Sequence, residues 1–408
     1  MKAPTTPLAL MLAASVLSST AVHADEDISS AITDGEVSVD LRYRFEGVEQ
    51  DGFDENAKAS LLRSRVTLTS APLNGFLGSI EIDNVTAIGP DDYNSTENGK
   101  TEYPTIADPE YTEFNQAWLA YRGENVTATL GRQRITHLNR RIIGSKPWRN
   151  NELTYDGVRL EWKATAGLSL DLSYVNNVNQ IFGPDDGTRP ANLEGDYVFA
   201  LGEYQLGAEH TLNAFAYLFD VDPQAGFSPG QTVNQASDSY GMQYRGKFDA
   251  LSLRASYATQ SDAGRSELNY STDYLVVEAS GDVGPLQLRA MYEVLGSDNG
   301  VGFATPFANG HGVQGWADMF LSTPSDGIRD ANLSVGGSVG PVNLRAIYHD
   351  FSADASSTDF GTEIDLLAVW PVSKKVRLEA KYADFSTDAP DRYPDTRKIW
   401  FTAQFTLP

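Results

Sequence analysis

Arginines at alternate positions are the residues of this sequence with the clearest chemical potential. Arg42 and Arg44 are separated by one residue, and so are Arg63 and Arg65. Alternate residues of a β-strand point to the same face of the sheet, so each pair would present two guanidinium groups side by side. A guanidinium is a planar, permanently charged fork that matches carboxylates, and several of them in a low-dielectric channel concentrate anions. The spacing predicts an anion-binding surface.

Further basic residues extend this surface along the chain. The segment 134–151 contains five Lys or Arg residues and no Asp or Glu. The arginines predicted to line a lumen, from strands and from this segment, are Arg42, Arg44, Arg63, Arg65, Arg134, Arg140, Arg141, Arg149, Arg159, Arg254, Arg289 and Arg345. Two interpretations remain open, because Glu46, Glu161, Glu293 and Glu379 share the same face. The arginines favour anionic solutes, with the segment folded inward as a constriction, or they form a structural ion-pair ladder with these carboxylates.

Catalytic motifs are weak. Gly336–Gly340 formally matches the G-x-S-x-G pattern, with Ser338 at its centre, but it leads into a turn closed by Pro341 rather than into a helix. His349 is interpreted as a solvated residue at a rim. No His and acid spacing indicates a catalytic metal. The sequence therefore predicts no catalytic residue, no metal and no cofactor, and a barrel hydrolase or adhesin remains the alternative of another class.

The arginines occur in long segments in which polar and apolar residues alternate. From Val37 to Glu46 every second residue is apolar, and Ile399–Leu407 repeats the pattern at the other end of the chain. We count 18 such segments, centred near residues 42, 66, 80, 118, 130, 158, 173, 201, 216, 244, 256, 277, 290, 335, 347, 366, 382 and 402. Each is about 9–13 residues long, which is the length of a tilted strand that crosses a bilayer. An all-β fold is predicted, a transmembrane antiparallel β-barrel with 18 strands.

Connection lengths support a barrel more strongly than alternation does. Short turns follow the even-numbered segments, for example 122–125 and 339–341, and long loops follow the odd-numbered ones, the longest being 296–330. Outer-membrane barrels have short periplasmic turns and long extracellular loops. Because arginines in hydrocarbon would cost about 2–4 kcal/mol each, they must face the lumen and the apolar set must face lipid.

The N-terminus and the composition agree with export. Residues 1–24 contain one charge, Lys2, an apolar run of about ten residues and a small-residue ending at Ala24, which predicts a signal peptide. Residues 25–408 are predicted to form one barrel domain. Loss of Lys2 changes the formal net charge from −24 to −25, which argues against nucleic acid as a partner. There is no cysteine, and no run after residue 24 is long enough for a transmembrane helix.

Residues 114–135 ("FNQAWLAYRGENVTATLGRQRI"), together with 139–162, 305–336 and 361–385, resemble the alginate-export family of outer-membrane proteins. The resemblance implies an 18-stranded barrel with an arginine-rich lumen that passes an anionic polyuronate outward. The matching residues in the first two segments are Arg132, Gln133, Arg134, Arg140, Trp148, Arg149 and Asn151, and by this resemblance Arg132 is also expected to line the lumen. In the third segment they are Gly315, Trp316, Ala317 and Asp318.

We therefore expect an outer-membrane channel with an arginine-lined lumen, whose cargo is an anionic polysaccharide or another anionic solute. A weakly selective porin for uptake of small organic solutes is the alternative. Trp148, Trp316 and Asp318 are expected at the loop constriction, where Trp316 and Asp318 either pin a loop inside the barrel or bind a sugar. The partners expected are outer-membrane lipid and lipopolysaccharide, and a monomer is favoured over a trimer.

Overall fold

A computed structural model describes residues 28–407, so the predicted signal peptide at 1–24 lies outside the described residues. The chain forms a short helix α1 (Ile28–Thr33) and then almost only β-strands. The strands are β1 (Glu36–Gln50), β2 (Ala57–Thr69), β3 (Phe76–Asp92), β4 (Tyr111–Arg122), β5 (Val126–Gln133), β6 (Thr154–Thr165), β7 (Leu168–Asn179), β8 (Asn192–Gln205), β9 (His210–Val221), β10 (Ser237–Phe248), β11 (Leu251–Asp262), β12 (Ser271–Val283), β13 (Leu286–Leu295), β14 (Ser297–Asp298), β15 (Val301–Gly302), β16 (Ile328–Val339), β17 (Val342–Ser352), β18 (Asp359–Pro371), β19 (Val376–Thr387) and β20 (Thr396–Leu407).

Eighteen of these strands form one antiparallel sheet that closes on itself. Each long strand pairs with the next, β13 pairs with β16 across the small β14–β15 hairpin, and β20 pairs with β1. Closure leaves no strand with an unpaired edge, which is the condition for a sheet in hydrocarbon. All 18 segments predicted from alternation fall within these strands, and the predicted β-barrel is confirmed. Strand lengths range from 8 residues in β5 to 17 in β3, which is wider than predicted.

The connections alternate in length as predicted. At one end of the barrel, here called the short-turn end, β10 and β11 are joined by residues 249–250, and β16 and β17 by residues 340–341. The other end, the long-loop end, carries nine longer connections. Two of these matter most below: the third loop (residues 134–153) and the seventh loop (residues 296–327). Within residues 28–407, no helix has the length and apolar character needed to cross a bilayer.

Side-chain exposure alternates along the strands because the two faces meet different surroundings. On β17, Leu344 and Tyr348 are exposed on the outer face, whereas Ile347 and His349 face inward and are buried. Exposed large apolar side chains recur in this way around the outer wall. The inward residues are buried mainly toward the long-loop end, so loops must occupy that half of the lumen.

An aromatic core inside the barrel fixes the seventh loop. Phe307 of this loop packs against Tyr155, Tyr197 and Phe219 of the wall, with ring centroids 6.2, 5.6 and 5.0 Å away. Phe307 is completely buried. Each such aromatic pair contributes about 0.5–1.5 kcal/mol beyond the burial of its area. Apolar packing therefore keeps the loop in the lumen before any charge is considered.

Candidate functional site

The third loop begins directly after β5, which has 8 residues, and Glu152 anchors the loop's far end to the wall. The Arg65 guanidinium donates to both carboxylate oxygens of Asp83, at 2.7 and 2.6 Å, and to Glu152 at 2.9 Å. Arg134, at the start of the loop, makes close ion pairs with Glu81 and Glu152. The two ends of the loop thus meet at one buried carboxylate.

Burial alone would raise the pKa of Glu152, but Arg65, Arg134 and Arg63 lower it to about 2. Arg63 also pairs with Asp40 at 2.6 Å. These arginines are therefore neutralised by wall and loop carboxylates. For them the structure matches the interpretation of an ion-pair ladder, which sequence analysis could not separate from a conduit.

Arg42 and Arg44 have a different role, because they donate to the backbone of the third loop. Arg42 donates to the carbonyl oxygens of Pro147 (3.1 Å) and Arg149 (2.6 Å), and Arg44 donates to that of Trp148 (2.5 Å). Both arginines are buried. Such charged hydrogen bonds to a loop position it, so these two guanidinium groups are not open to a passing solute.

Arg149 ties the third loop to three other parts of the molecule. Its guanidinium lies 3.3 Å from Glu46, 3.6 Å from Asp108 and 3.3 Å from Asp318 of the seventh loop. Burial opposes the charge, but the three carboxylates raise the pKa of Arg149 above its ordinary value. Asp108, in the connection between β3 and β4, is 1% exposed and belongs to this network.

Trp148, Trp316 and Asp318 lie close together around two lysines and a histidine. The Lys381 Nζ atom lies 3.9 Å from the ring centroid of Trp148 and 3.8 Å from that of Trp316. Asp318 accepts a hydrogen bond from Lys398 at 3.0 Å. Trp316 is 7% exposed. The geometry matches the pinning of a loop rather than an open sugar-stacking surface.

The remaining predicted arginines divide between the lumen and the outer wall. Arg141 pairs with Glu293 at 2.9 Å, and Arg159 pairs with Asp171 through both oxygens. Arg132 differs from its expected position. It follows Leu130 by two residues on β5, and Leu130 is 60% exposed on the outer face, so Arg132 also projects outward. There its guanidinium pairs with Asp156 at 2.8 and 3.0 Å.

An open part of the lumen lies beside β11, β12 and β13. A cavity of about 250 Å³ is lined by Asn139 of the third loop, Gly312 and Val313 of the seventh loop, and Arg254, Glu278, Arg289 and Met291 of the wall. Glu278 is shared, at 3.0 Å from Arg254 and 3.6 Å from Arg289. Arg254 Nη1 and Arg289 Nε have no hydrogen-bond partner among the described residues. As lining residues, both arginines border this space, with one carboxylate between them.

Two further predicted arginines add unpaired charge. Arg345 is exposed on the inward face of β17. Its register partner on β16 is Gly336, which lies two residues from Ser334, the register partner of Arg289. Arg140, at the tip of the third loop, is exposed and has a left-handed φ of 65°. Within residues 28–407 neither has a carboxylate at ion-pair distance, although the sequence places them among the same set as the paired arginines.

Ser338 and His349, the two residues considered for catalysis, have separate hydrogen-bond partners and do not contact each other. Ser338 Oγ donates to Asn343 at 2.7 Å beside the turn at the short-turn end. His349 is buried rather than solvated, which corrects the interpretation from sequence, and its Nδ1 lies 3.0 Å from both carboxylate oxygens of Asp330. Across the described part of the chain, no group of three metal-ligating side chains has the geometry to hold an ion.

Sequence reasoning missed several residues that organise the site. Glu152 lies one residue beyond the acid-free segment, so that segment was read as wholly basic. Glu278 carries the same inward parity as its neighbours on β12, and this parity is a signal that could have found it. His311 and Lys398 meet Asp318 only because the seventh loop folds inward, for which no local pattern exists.

Comparisons with known proteins agree with this architecture. The family model described as alginate export matches residues 35–277. A search of curated protein sequences gives no match. Among solved structures, OccAB2 of Acinetobacter baumannii has a TM-score of 0.69 at 15% identity, covering 93% of this chain and 100% of that one.

Two proteins of Pseudomonas aeruginosa are similar to nearly the same extent. OccK9 (OpdG) has a TM-score of 0.68 at 16% identity, covering 93% of this chain and 100% of the other. OpdO has a TM-score of 0.68 at 13% identity, covering 93% and 99%. At these identities the likeness concerns the fold alone. With the family match over more than half of its length, the chain belongs to the alginate export family and has the fold of an outer-membrane channel.

Proposed function

We propose that this protein is a passive, non-catalytic outer-membrane channel for small anionic solutes, which cross the lumen past Arg254, Arg289 and Arg345. The observation that carries the proposal is the open cavity in which Arg254 and Arg289 share the single carboxylate of Glu278. A site with more guanidinium than carboxylate groups has a positive field, and low-dielectric walls focus that field on an entering anion.

The distribution of ion pairs supports this path rather than one along β1, β2 and β3. On that side the guanidinium groups of Arg63 and Arg65 are matched by Asp40, Asp83 and Glu152 and are covered by the third loop. These charges are balanced by carboxylates and covered by the loop, so they attract a passing anion less than charges that border an open space. The sequence alone assigned both groups of arginines to one basic wall.

The volume of the cavity favours small solutes. The cavity of about 250 Å³ lies below the range of about 300–1,000 Å³ that is typical of pockets for drug-sized ligands. Met291 adds an apolar surface beside the arginines. A polyuronate is a second candidate cargo, suggested by the family description. Its carboxylates could meet the same arginines as those of a small anion. Passage of the polymer would require the third and seventh loops to leave the aromatic core that holds them in the lumen.

Block of single-channel current tests the proposal. Purified protein in planar bilayers should conduct, and glucuronate should interrupt the current more often than an uncharged sugar of the same size. The double variant Arg254→Gln with Arg289→Gln should lose this block, whereas Arg397→Gln, an exposed arginine of the outer face, should retain it. Equal block by both solutes would refute anion preference and leave a weakly selective porin. Block by oligouronates alone would favour the polymer.

We also propose that residues 1–24 direct export and are removed after Ala24, that the barrel is surrounded by lipid and lipopolysaccharide, and that it acts as a monomer. The small residues at the end of the segment fit a cleavage site. N-terminal sequencing of protein purified from outer membranes should begin at Asp25. A mature chain that retains Lys2, or a trimer that persists in mild detergent, would contradict these proposals.

A further inference from the structure

His311 lies at the centre of the contact between the seventh loop, the third loop and the wall. Its ring stacks on Trp148 of the third loop with centroids 4.0 Å apart and an interplanar angle of 9°. Its Nε2 atom lies 2.6 Å from Nζ of Lys381 on β19, and its Nδ1 atom lies 2.8 Å from Asp318. The residue is 7% exposed.

These contacts fix the number of protons that the site can hold. A lysine ammonium can only donate hydrogen bonds, so Nε2 of His311 must accept from Lys381 and carry no proton. The ring is then neutral, and Nδ1–H donates to Asp318. If a further proton entered the pair of His311 and Lys381, an N–H group would face an ammonium at 2.6 Å and the hydrogen bond would be lost.

Among residues 28–407, no carboxylate lies within hydrogen-bond distance of His311 Nε2, which contacts Lys381 Nζ instead. The third loop contributes Arg149, the seventh loop contributes Asp318, and β18 contributes Glu363, which accepts a hydrogen bond from the Ala317 amide at 2.8 Å. The titratable and charged groups that face this site from all elements packed around it are Arg44, Glu46, Arg149, Asp318, Glu363, Asp365, Glu379, Lys381 and Lys398.

Burial and the neighbouring ammonium of Lys381 hold the pKa of His311 well below its ordinary value, although Asp318 opposes this effect. The sign follows directly. When the loop is released, His311 regains an ordinary pKa near 6.5 and binds a proton below that pH, whereas the docked residue does not. Acid therefore favours release, and the contribution of His311 to docking is complete only above about pH 6.5.

We propose that His311, held between Lys381, Asp318 and Trp148, is an acid-sensitive latch that keeps the third and seventh loops docked in the lumen near neutral pH and releases them when it is protonated. The latch regulates the proposed channel, so its effect on current rests on that function. The ratio of docked to released loops should fall by up to about ten-fold for each pH unit below about 6.5.

Conductance as a function of pH tests the latch. Between about pH 7.5 and pH 5, the wild-type channel should open more often or to a larger level as pH falls. His311→Gln keeps a hydrogen-bonding side chain but cannot take up a proton, so its response should be flat. His210→Gln, at the start of β9 and away from the loops, should behave like the wild type. A flat wild-type response, or an acid response that survives in His311→Gln, would overturn the latch.

A second measurement does not depend on conduction. Hydrogen exchange of residues 310–321, corrected for the intrinsic effect of pH on exchange, should accelerate in acid for the wild type and not for His311→Gln. If His311→Gln does not fold, Lys381→Met serves instead, because removal of the facing ammonium should weaken the acid response. Absence of current at every pH would refute the channel and leave the latch to be decided by exchange alone. Unaltered exchange in acid would refute the latch.

Discussion

Replacement of Glu152 by Gln should release the third loop without unfolding the barrel. The carboxylate accepts one hydrogen bond from Arg65 at 2.9 Å and another from Arg134, and Arg63 lies 3.8 Å away. Charged hydrogen bonds contribute about 1.5–3 kcal/mol each, and Gln keeps one of the two acceptor oxygens, so the expected loss is about 2–3 kcal/mol. The fraction of released loop should rise about 30- to 150-fold.

The pKa of Glu152 gives a similar magnitude by a different route. A shift from 4.5 to about 2 in a buried group corresponds to about 3 kcal/mol of preference for the docked loop. Because the shift is downward, this contribution is complete above about pH 4.5 and is lost as pH falls toward 2. The two estimates rest on the same ion pairs, which is why they agree.

Hydrogen exchange of the third loop is the direct assay for Glu152→Gln. Exchange in residues 134–153 should accelerate in the variant, while the strands keep their protection. Glu161→Gln is the matched control, because the Glu161 carboxylate is 45% exposed and, among residues 28–407, pairs only with Arg159. Exposed pairs contribute about 0–1 kcal/mol, so its exchange should change little. Equal behaviour of the two variants would refute the anchoring role of Glu152.

Three further changes test other contacts. The Lys146 ammonium donates to the Pro306 carbonyl, and burial lowers the pKa of Lys146 to about 8. The docked lysine therefore loses its proton at lower pH than the released one, so docking of the third loop should become more favourable as pH rises from about 8 toward 10.5. Lys146→Met should abolish that pH dependence in hydrogen exchange. Trp148→Ala should cost about 3 kcal/mol of loop docking and increase current noise, whereas Trp162→Ala on the outer wall should not. Glu278→Gln should increase the chloride preference of the reversal potential in asymmetric KCl, because it removes the carboxylate shared by two arginines.

The barrel could be predicted from the sequence because its determinants are local. Every second residue of a segment such as Val37–Glu46 meets the same surroundings, so the alternation survives any rearrangement of the loops. Turn lengths are equally local. The inward position predicted for Arg132 rests on the family resemblance and not on alternation. In the structure, the alternation along β5 places Arg132 on the outer face.

The organisation of the lumen could not be predicted, because it depends on where two long loops dock. His311 and Lys381 are 70 residues apart in sequence, and Arg149 and Asp318 are 169 apart. No periodic pattern links them. The third loop also contains residues held at left-handed φ angles, 49° at Leu138 and 49° at Lys146. Such angles cost roughly 1–3 kcal/mol each for residues with a Cβ, so tertiary contacts must select this conformation.

The charge balance of the lumen has the same origin. Read along one strand, Arg65 and Arg254 are equivalent inward residues. Their difference arises across strands, since Arg65 meets Asp83 and a loop carboxylate, whereas Arg254 shares Glu278 with a second arginine and faces a cavity. The number of arginines in the sequence therefore exceeds the number that contribute net positive charge to the lumen. The ion pairs seen in the structure distinguish the arginines that border the cavity from those that hold loops in place.

Reversal potential in asymmetric KCl tests the central claim most directly. With purified protein in planar bilayers, the wild-type channel should select chloride over potassium. Arg254→Gln combined with Arg289→Gln should reduce or invert that preference, and Arg397→Gln should leave it unchanged. Potassium selectivity in the wild type, or chloride selectivity that the double variant keeps in full, would contradict an anion path along this wall.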